Sequence, residues 1–466
     1  MSGSTTIVNR CKANIRKMTA YGYYGFGKLM KLKTQKAGRV IQNVLYYPAV
    51  KDTETLSDLV NRISWYFPES ILSKNKVSIA VDTKLLNTDL KSLVPPSSQY
   101  NYIGQSKNIH LTDYKAVNFS QADVIMLWDK RSIFEPRILW HLNKVNIVDP
   151  TYYFSVEGDT HRRMYIQTLE NQQKERLSEL SKQNYQSLLG EVSKCEQGYV
   201  FGTGPSLARA MEFDYRGGFR VVCNSIVKNK ALLNHIKPQL LVFGDPVMHF
   251  SPCRYAEAFR QMALEAVNEF GCYIMTTEYN VPLYLAHYPE LENKIIGVPA
   301  PGVWEMSLVE IIKMALRRPH KIPWFDKIPG HSEEYNFPTP DKFYTRLTGS
   351  VVPTLMVPVV SYACKKIYII GADGYNPNER KPDETSVWNY NSSSQFGELM
   401  QTAIDTHPSF FRDQPYTFNY KIYCENFEGL LHHGESLGKR YYSLTPSYIP
   451  ALAKRPVPPE KMRWNK

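Results

Sequence analysis

Apolar and polar positions change rhythm along the chain, and the changes divide it. Between residues 40 and 155, short apolar runs (Val40–Tyr47, Val77–Val81, Val124–Trp128 and Val145–Val148) are separated by helix-spaced stretches at Ser57–Phe67 and Ile133–Leu142. Strand and helix in alternation predict an open α/β sheet. Residues 156–194 are polar and charged without such runs, which predicts an exposed connecting helix and a domain boundary. A second alternation begins at Gly198. Its predicted strands are Tyr199–Phe201, Phe219–Cys223, Leu240–Phe243, Tyr273–Thr276, Ile295–Val298, Lys366–Ile370 and Tyr441–Leu444, with a helix at Tyr255–Phe270. An apolar helix is expected after Ser350 to Ala363, weakened by Pro353 and Pro358. Residues 319–344, rich in Pro, His and aromatics, read as a long loop or lid. At the start, Ile7, Val8, Cys11, Ile15 and Met18 mark one face of a short helix over 5–21.

The fold expected is α/β, with two Rossmann-like open-sheet domains. The divisions are a basic amphipathic segment (1–39), an N-terminal α/β domain (40–155), a connecting helix (156–196), a Rossmann-like domain (197–453) and a basic tail (454–466). A length of 466 residues fits two to three domains, and 43% hydrophobic residues with 32 Tyr and 20 Phe exclude a mainly disordered chain.

Charge sharpens this division. The net +12 is not spread evenly: residues 1–51 hold ten basic residues and no acid, and 454–466 carry +4, which leaves 52–453 at −2. A uniformly basic nucleic-acid-binding body is disfavoured. Basic residues beside Tyr21, Tyr23, Tyr24 and Phe26 suit an anionic membrane surface, and equally a helix packed on the body with its charges solvated. The 7 cysteines are scattered, with no Cys-x-x-Cys pair, as in a reducing compartment. No apolar run approaches the ~20 residues that span a bilayer. A cytoplasmic protein is expected.

Candidate chemistry gathers where strands end. Gly202-Thr203-Gly204-Pro205-Ser206 forms a glycine turn from strand into helix, whose amides can approach an anion. It lacks the third glycine of a dinucleotide fingerprint and the Gly-Lys-Ser/Thr ending of a P-loop. Other strands end in Asn224, in Asp245 and in Asp373-Gly374-Tyr375, short polar groups suited to ribose and base. Each alone is also ordinary turn chemistry; the series points to a nucleotide site. At the ends of N-terminal strands, Trp128-Asp129 and Asp149-Pro150 give a weaker signal of the same kind.

This ordered set, Gly202–Leu207, Cys223-Asn224, Asp245-Pro246, Arg346–Ser350 and Ile367–Tyr375, resembles the motifs of bacterial lipooligosaccharide sialyltransferases and of the central domain of motility-accessory flagellin glycosyltransferases. The resemblance covers about 198–450. It implies a Rossmann-like domain with a lid that transfers a nonulosonic acid from a CMP-sugar, inverting the anomeric centre and needing no metal; the chain has no Asp-x-Asp motif. By position, Gly202, Thr203, Gly204, Pro205 and Ser206 would contact CMP, and Asn224 and Asp245 the cytidine phosphate and donor sugar, with Asp373 and Gly374 at the same edge. The family usually has Asn at position 245, and a carboxylate near phosphate needs a hydroxyl or cation beside it. Arg346 would pair with the sugar carboxylate, Thr348, Gly349 and Ser350 would lie under the sugar, and Tyr375 would donate to the departing phosphate. Tyr390 is the nearest counterpart of a second such tyrosine.

Inverting transfer needs a base for the acceptor hydroxyl, and imidazole is matched to that near neutral pH. By the resemblance His407 is the positional candidate, with His432 and His433 competing. The function implied is a CMP-sugar-dependent glycosyltransferase acting on a glycan or lipid-linked acceptor. The N-terminal domain would present the acceptor, residues 1–51 would meet an anionic membrane, and no cofactor, metal or nucleic acid would take part. The protein would lie on the inner face of the cytoplasmic membrane. Two other readings remain open. One is an ATP- and metal-dependent pterin pyrophosphokinase-like enzyme, which shares the Gly-x-Gly-Pro-Ser turn. The other is a non-catalytic, membrane-associated assembly protein.

Overall fold

A computed structural model describes residue 15 and residues 41–68, 76–105, 108–152, 160–161, 169–300, 335–348, 350–374, 396–409 and 416–457. The helix expected over 5–21 and the lid over 319–344 fall largely outside them, as do Gly349, Tyr375 and Tyr390. The chain is α/β, built on two open sheets whose strands all run parallel.

The first sheet holds β1 (Asn43–Val50), β2 (Lys76–Val81), β3 (Ile109–Asp113), β4 (Val124–Leu127) and β5 (Val145–Ile147), with α1 (Thr53–Tyr66) after β1. Its order is β3-β2-β1-β4-β5. Asp52 starts α1 by accepting from the Thr55 amide at 2.7 Å. The helix expected over Ile133–Leu142 breaks into short turns. Pro136 keeps Glu135 extended, so the chain restarts as a one-turn helix at Pro136–Leu139.

Next comes α2 (Asn171–Val192), then β6 (Gln197–Phe201), β7 (Phe219–Cys223), α3 (Lys230–Ile236), β8 (Leu240–Val242), α4 (Arg254–Phe270), β9 (Tyr273–Thr277), α5 (Val281–His287) and β10 (Ile295–Val298). The sheet is completed by α6 (Val357–Ala363), β11 (Lys366–Ile370), α7 (Met400–Thr406), α8 (Tyr416–Ser436) and β12 (Arg440–Ser443). Seven strands lie in the order β10-β9-β8-β7-β6-β11-β12.

Side chains alternate between the two faces of this sheet. Val200, Val221, Leu240, Met275 and Ile296 join one core with Leu188, Val360 and Leu431. Phe201, Val222, Leu241 and Ile274 join another that also contains Val44, Ile79 and Met126 of the first sheet. Burial on both faces is what parallel sheets require. The second core runs on between the two sheets.

Three local expectations change. Residues 171–192 are no exposed connector: Tyr185 and Leu188 are buried, Ser181 Oγ accepts from the Gly297 amide at 3.1 Å, and Asn184 Nδ2 donates to Ile295 O at 2.8 Å. Helix α2 is therefore a layer of the second sheet, laid over β10. After the glycine turn comes a 3-10 helix, Pro205–Glu212, not an α-helix. Before α6 the chain widens into a π turn at Val352–Met356, where the Val357 amide bonds to Val352 O. Pro358 has no N–H for Thr354 O, and the wider turn spares that carbonyl a clash with the proline ring.

Candidate functional site

In an open parallel sheet, ligands collect outside the carboxyl ends of strands where the winding reverses. Here that point lies between β6 and β11. β6 leads outward to β7, β8, β9 and β10, while β11 and β12 lie on its other side. The Gly202–Ser206 turn and the Gly371–Gly374 turn leave these two strands side by side.

The two turns grip each other. Gly202 N donates to Ile370 O at 2.8 Å and Gly204 N to Gly371 O at 2.7 Å. A side chain on Gly202 would run into Gly371, which itself sits at φ +73° with its own missing Cβ against Gly202. Glycine is required at both positions by this approach. The Asp373 carboxylate then accepts from the Ser206 amide at 3.1 Å. It takes the place at the start of the 3-10 helix where an anionic ligand would be expected. Burial raises the Asp373 pKa above the ordinary carboxylate value, opposed by its hydrogen bonds from Ser206. Gly202, Gly204 and Ser206 thus direct their amides at β11 and its turn.

A segment that drew no attention in the sequence closes this crevice. Following β12, Thr445 Oγ1 donates to Ser206 Oγ at 2.9 Å, Ser447 Oγ donates to Ala372 O at 2.7 Å, and Tyr448 N donates to Asp373 O at 2.6 Å. The signal that could have found it was the strand Tyr441–Leu444 itself, whose exit at Thr445-Pro446-Ser447 repeats the polar strand endings.

Further along the edge, Asn224 takes a left-handed φ of 50° at the end of β7, uncommon for a non-glycine residue. Its Oδ1 and the adjacent Ser225 Oγ are buried without a hydrogen-bond partner. Such orphaned polar atoms cost on the order of 1–3 kcal/mol each, and a ligand's donors would satisfy them. Asp245, at the end of β8, has a different occupation. Its Oδ1 accepts from Val247 N at 2.9 Å and Met248 N at 2.7 Å, while its own N–H donates to His249 Nδ1 at 2.9 Å. That side chain shapes the turn after β8.

The Arg346 region crosses the same edge. Thr345 N donates to Pro299 O beyond β10 at 2.9 Å, and the space beside Gly244, beyond β8, is bounded by Val351. The Arg346 guanidinium lies 4.6 Å from the Tyr335 ring centre, and no described carboxylate pairs with it. Thr348 is buried, with its Oγ1 2.8 Å from Thr354 Oγ1, so it supports this strap from within.

No family model, curated protein or solved structure matches this chain.

The base candidates separate clearly. His407 ends α7, is 1% exposed, and lies at the contact between the two sheets with Arg62 and His161. Burial lowers its pKa well below the ordinary value, and the charges of Arg62 and His161 add to that. Arg62 Nη2 also donates to Thr406 O at 3.1 Å. His432 lies on α8 with its ring nitrogens 2.8 Å from Glu428 and 3.1 Å from Glu435. His433 packs edge-on to Phe337. In the first sheet, Asp129 pairs with Arg131 at 2.6 Å, and Asp149 accepts from Lys130 N and Thr151 N. Both are turn-building groups. Among the described residues, no group of three His, Cys, Asp or Glu side chains is placed to hold a metal, and no helix is long and apolar enough to cross a membrane.

Proposed function

We propose that this protein is an inverting glycosyltransferase that moves a nonulosonic-type sugar from a CMP-activated donor to a glycan or lipid-linked acceptor. The observation that carries the reading is convergence. The described motif residues at 202–206, 224, 245, 346–348, 350 and 371–374 come from distant parts of the chain and gather along one carboxyl edge, across its reversal point. Their division of labour differs from what the motifs alone suggest. The glycine turn and Asp373 build the crevice floor. Asn224 Oδ1 and Ser225 Oγ are the buried acceptors free to meet ribose or cytosine donors. Arg346 supplies a cation for the sugar carboxylate; of the expected lid, residues 335–344 instead pack into the core of the second sheet, with Phe337 and Phe343 buried and Tyr185 Oη donating to Pro338 O at 2.7 Å.

In this proposal the reaction needs no metal, since a departing CMP phosphate can be met by placed donors, Tyr375 among them. His407 is the base by position: burial and the neighbouring Arg62 keep the imidazole neutral but hold its pKa low, so it becomes an effective proton acceptor only when that contact opens. An acceptor hydroxyl reaches it once the contact around Arg62 opens. The first sheet carries the acceptor, and residues 1–51, at +10, hold the enzyme to an anionic membrane.

Calorimetric titration with CMP, CDP and UDP tests the core of this reading, with CMP expected to bind best. In Arg346→Ala the CMP-sugar should bind about tenfold or more weakly while CMP itself binds normally, because the lost charge-assisted contact is to the sugar. The absence of CMP binding above background would sink the proposal. Normal turnover by His407→Ala would remove only the base assignment.

A further inference from the structure

Helix α8 carries a polar side chain that its surroundings leave unsatisfied. Asn426 is 5% exposed, and its Nδ2 has no hydrogen-bond partner. A buried donor without an acceptor costs more than a made bond ordinarily contributes. Its presence calls for an acceptor that the fold does not supply. The Oδ1 of the same side chain lies 3.5 Å from the Tyr335 hydroxyl, the outer limit of a hydrogen bond. The amide head of Asn426 therefore faces Tyr335.

That phenol also carries Arg346. The loop between them is closed on itself: Asn336 Nδ2 donates to Tyr344 O at 2.7 Å and to Lys342 O at 3.0 Å. Tyr335 and Arg346 are thus brought together at its two ends, with the guanidinium 4.6 Å from the ring centre. Gly429, three residues along α8 from Asn426, makes room for the phenol, because a Cβ there would run into its hydroxyl. Asn426 and Gly429 lie on one face of the helix. A guanidinium with no described carboxylate and a buried amide donor with no acceptor therefore meet at one positioned ring.

Both groups ask for acceptors, of different kinds. The planar fork of Arg346 matches a carboxylate. For Asn426 Nδ2 a carbonyl oxygen is better suited than a hydroxyl, since it brings no proton of its own that must find an acceptor in a dry site. The Tyr335 phenol separates the two donors, as the ring of a sugar acid separates its carboxylate from an acylamino group on the far side.

We propose that Asn426 is a specificity-determining residue that selects an N-acylated sugar acid, with the carboxylate on Arg346 and the acyl carbonyl on Asn426 Nδ2. The inference deepens the donor reading and rests on it for the sugar class, but its test needs no nucleotide.

The probes are N-acetylneuraminate, its methyl ester and 3-deoxy-D-manno-octulosonate, an acid without an acylamino group, each titrated into the full-length protein by saturation-transfer NMR. Wild type should bind N-acetylneuraminate about tenfold more tightly than either of the others. Asn426→Leu should bind N-acetylneuraminate and the octulosonate alike, while Arg346→Ala should lose the difference between acid and ester. A second readout separates recognition from packing. Asn426→Leu removes an orphaned donor, so its melting temperature should equal or exceed that of wild type even as selectivity falls. Should Asn426→Leu melt lower, the smaller Asn426→Ser carries the binding test. No binding of N-acetylneuraminate, equal binding of acid and ester by wild type, or selectivity retained without Asn426 would each overturn the proposal. Sugar-acid binding with no response to CMP would instead remove the nucleotide reading and leave this site standing.

Discussion

Several single residues do work that only their surroundings explain, and His287 is the clearest of them. Its Nε2 donates to Trp65 O at 2.8 Å, and its ring stacks on Trp65 with centroids 4.1 Å apart. Burial removes water from the imidazolium form and brings the pKa from the ordinary 6.5 down to about 4. A depressed histidine contributes stability that is complete above the unfolded value near 6.5. That stability is lost as pH falls toward 4, because the unfolded chain then binds a proton the folded one refuses. The gap is worth roughly 3 kcal/mol at most. Urea unfolding near pH 7 and again near pH 4 should show wild type losing up to that much more than His287→Gln, whose amide keeps a donor for Trp65 O. His407 is lowered in the same direction and is present in both proteins, so it cancels. An equal loss in the two proteins would show that His287 does not remain neutral in the fold. Asp373 has the opposite sign: its raised pKa means its ionised form costs stability as pH rises past the ordinary carboxylate range.

At the scale of elements, the pair of turns after β6 and β11 is the most tightly specified feature of the candidate site. A Cβ on Gly204 would stand 2.7 Å from Gly371 O and closer still to the Asp373 carboxylate. Neither group is the far end of a flexible chain. Gly204→Ala should therefore destabilise the protein by about 1–3 kcal/mol. It should also weaken CMP binding, because Asp373 must move from the Ser206 amide. Gly217→Ala, at φ +73° with open space around its missing Cβ, costs backbone strain alone and serves as the comparison. If Gly204→Ala bound CMP normally, the turn would be only a packing element. The glycines were visible in the sequence, but their purpose was not. A Gly-x-Gly turn looks the same whether its amides face a phosphate or a neighbouring turn, and the Asp373 partner of Ser206 lies 167 residues away. Strand positions were the most readable feature, since Phe219–Cys223, Ile295–Val298 and Lys366–Ile370 are mostly apolar runs, broken only by Arg220 and the leading Lys366, and appear with those bounds. β3, Ile109–Asp113, escaped notice because His110 and Thr112 interrupt it at the edge of its sheet. The polar surface of α2 disguised a helix that buries Tyr185 and Leu188, because only one narrow stripe faces β10. Asp245 and Asp149 illustrate the limit for site residues: an Asp that builds a turn and an Asp that holds a ligand share one local sequence preference.

Across the whole molecule, the decisive feature is how the two sheets are joined, and no periodicity announces it. Arg260 of α4 is fully buried where they meet. Its guanidinium lies 4.0 Å from the Trp65 ring centre, donates to His249 O and Ser251 O at 3.0 Å, and reaches the Tyr102 hydroxyl at 2.6 Å and Glu257 at 2.9 Å. Trp65 Nε1 donates to Phe250 O at 2.7 Å, and Asn61 fixes the connection that carries Tyr102 by accepting from the Tyr102 amide. The backbone of that connection continues the join, with Tyr100 N on Pro252 O and Arg254 N on Ser98 O. Every donor of the guanidinium's inner edge has a partner, so the charge is compensated without water. With a core that also runs between the sheets, the two halves should unfold together: circular dichroism and tryptophan fluorescence should give one coincident urea transition. Arg260→Met keeps most of the volume but leaves Glu257 and the Tyr102 hydroxyl buried without their cation. It should cost roughly 3–5 kcal/mol and separate the two probes. Tyr102→Phe removes a hydroxyl bonded to both charges and should cost about 1.5–3 kcal/mol, with the transition still single. In the proposed reaction a tightly satisfied join would also bear on turnover, because His407 lies by Arg62 of α1, the helix that carries Trp65. If Arg260→Met raised activity while lowering stability, acceptor access through this contact would be the slow step. If activity fell in parallel with stability, the join would be the fixed frame against which the donor edge is held.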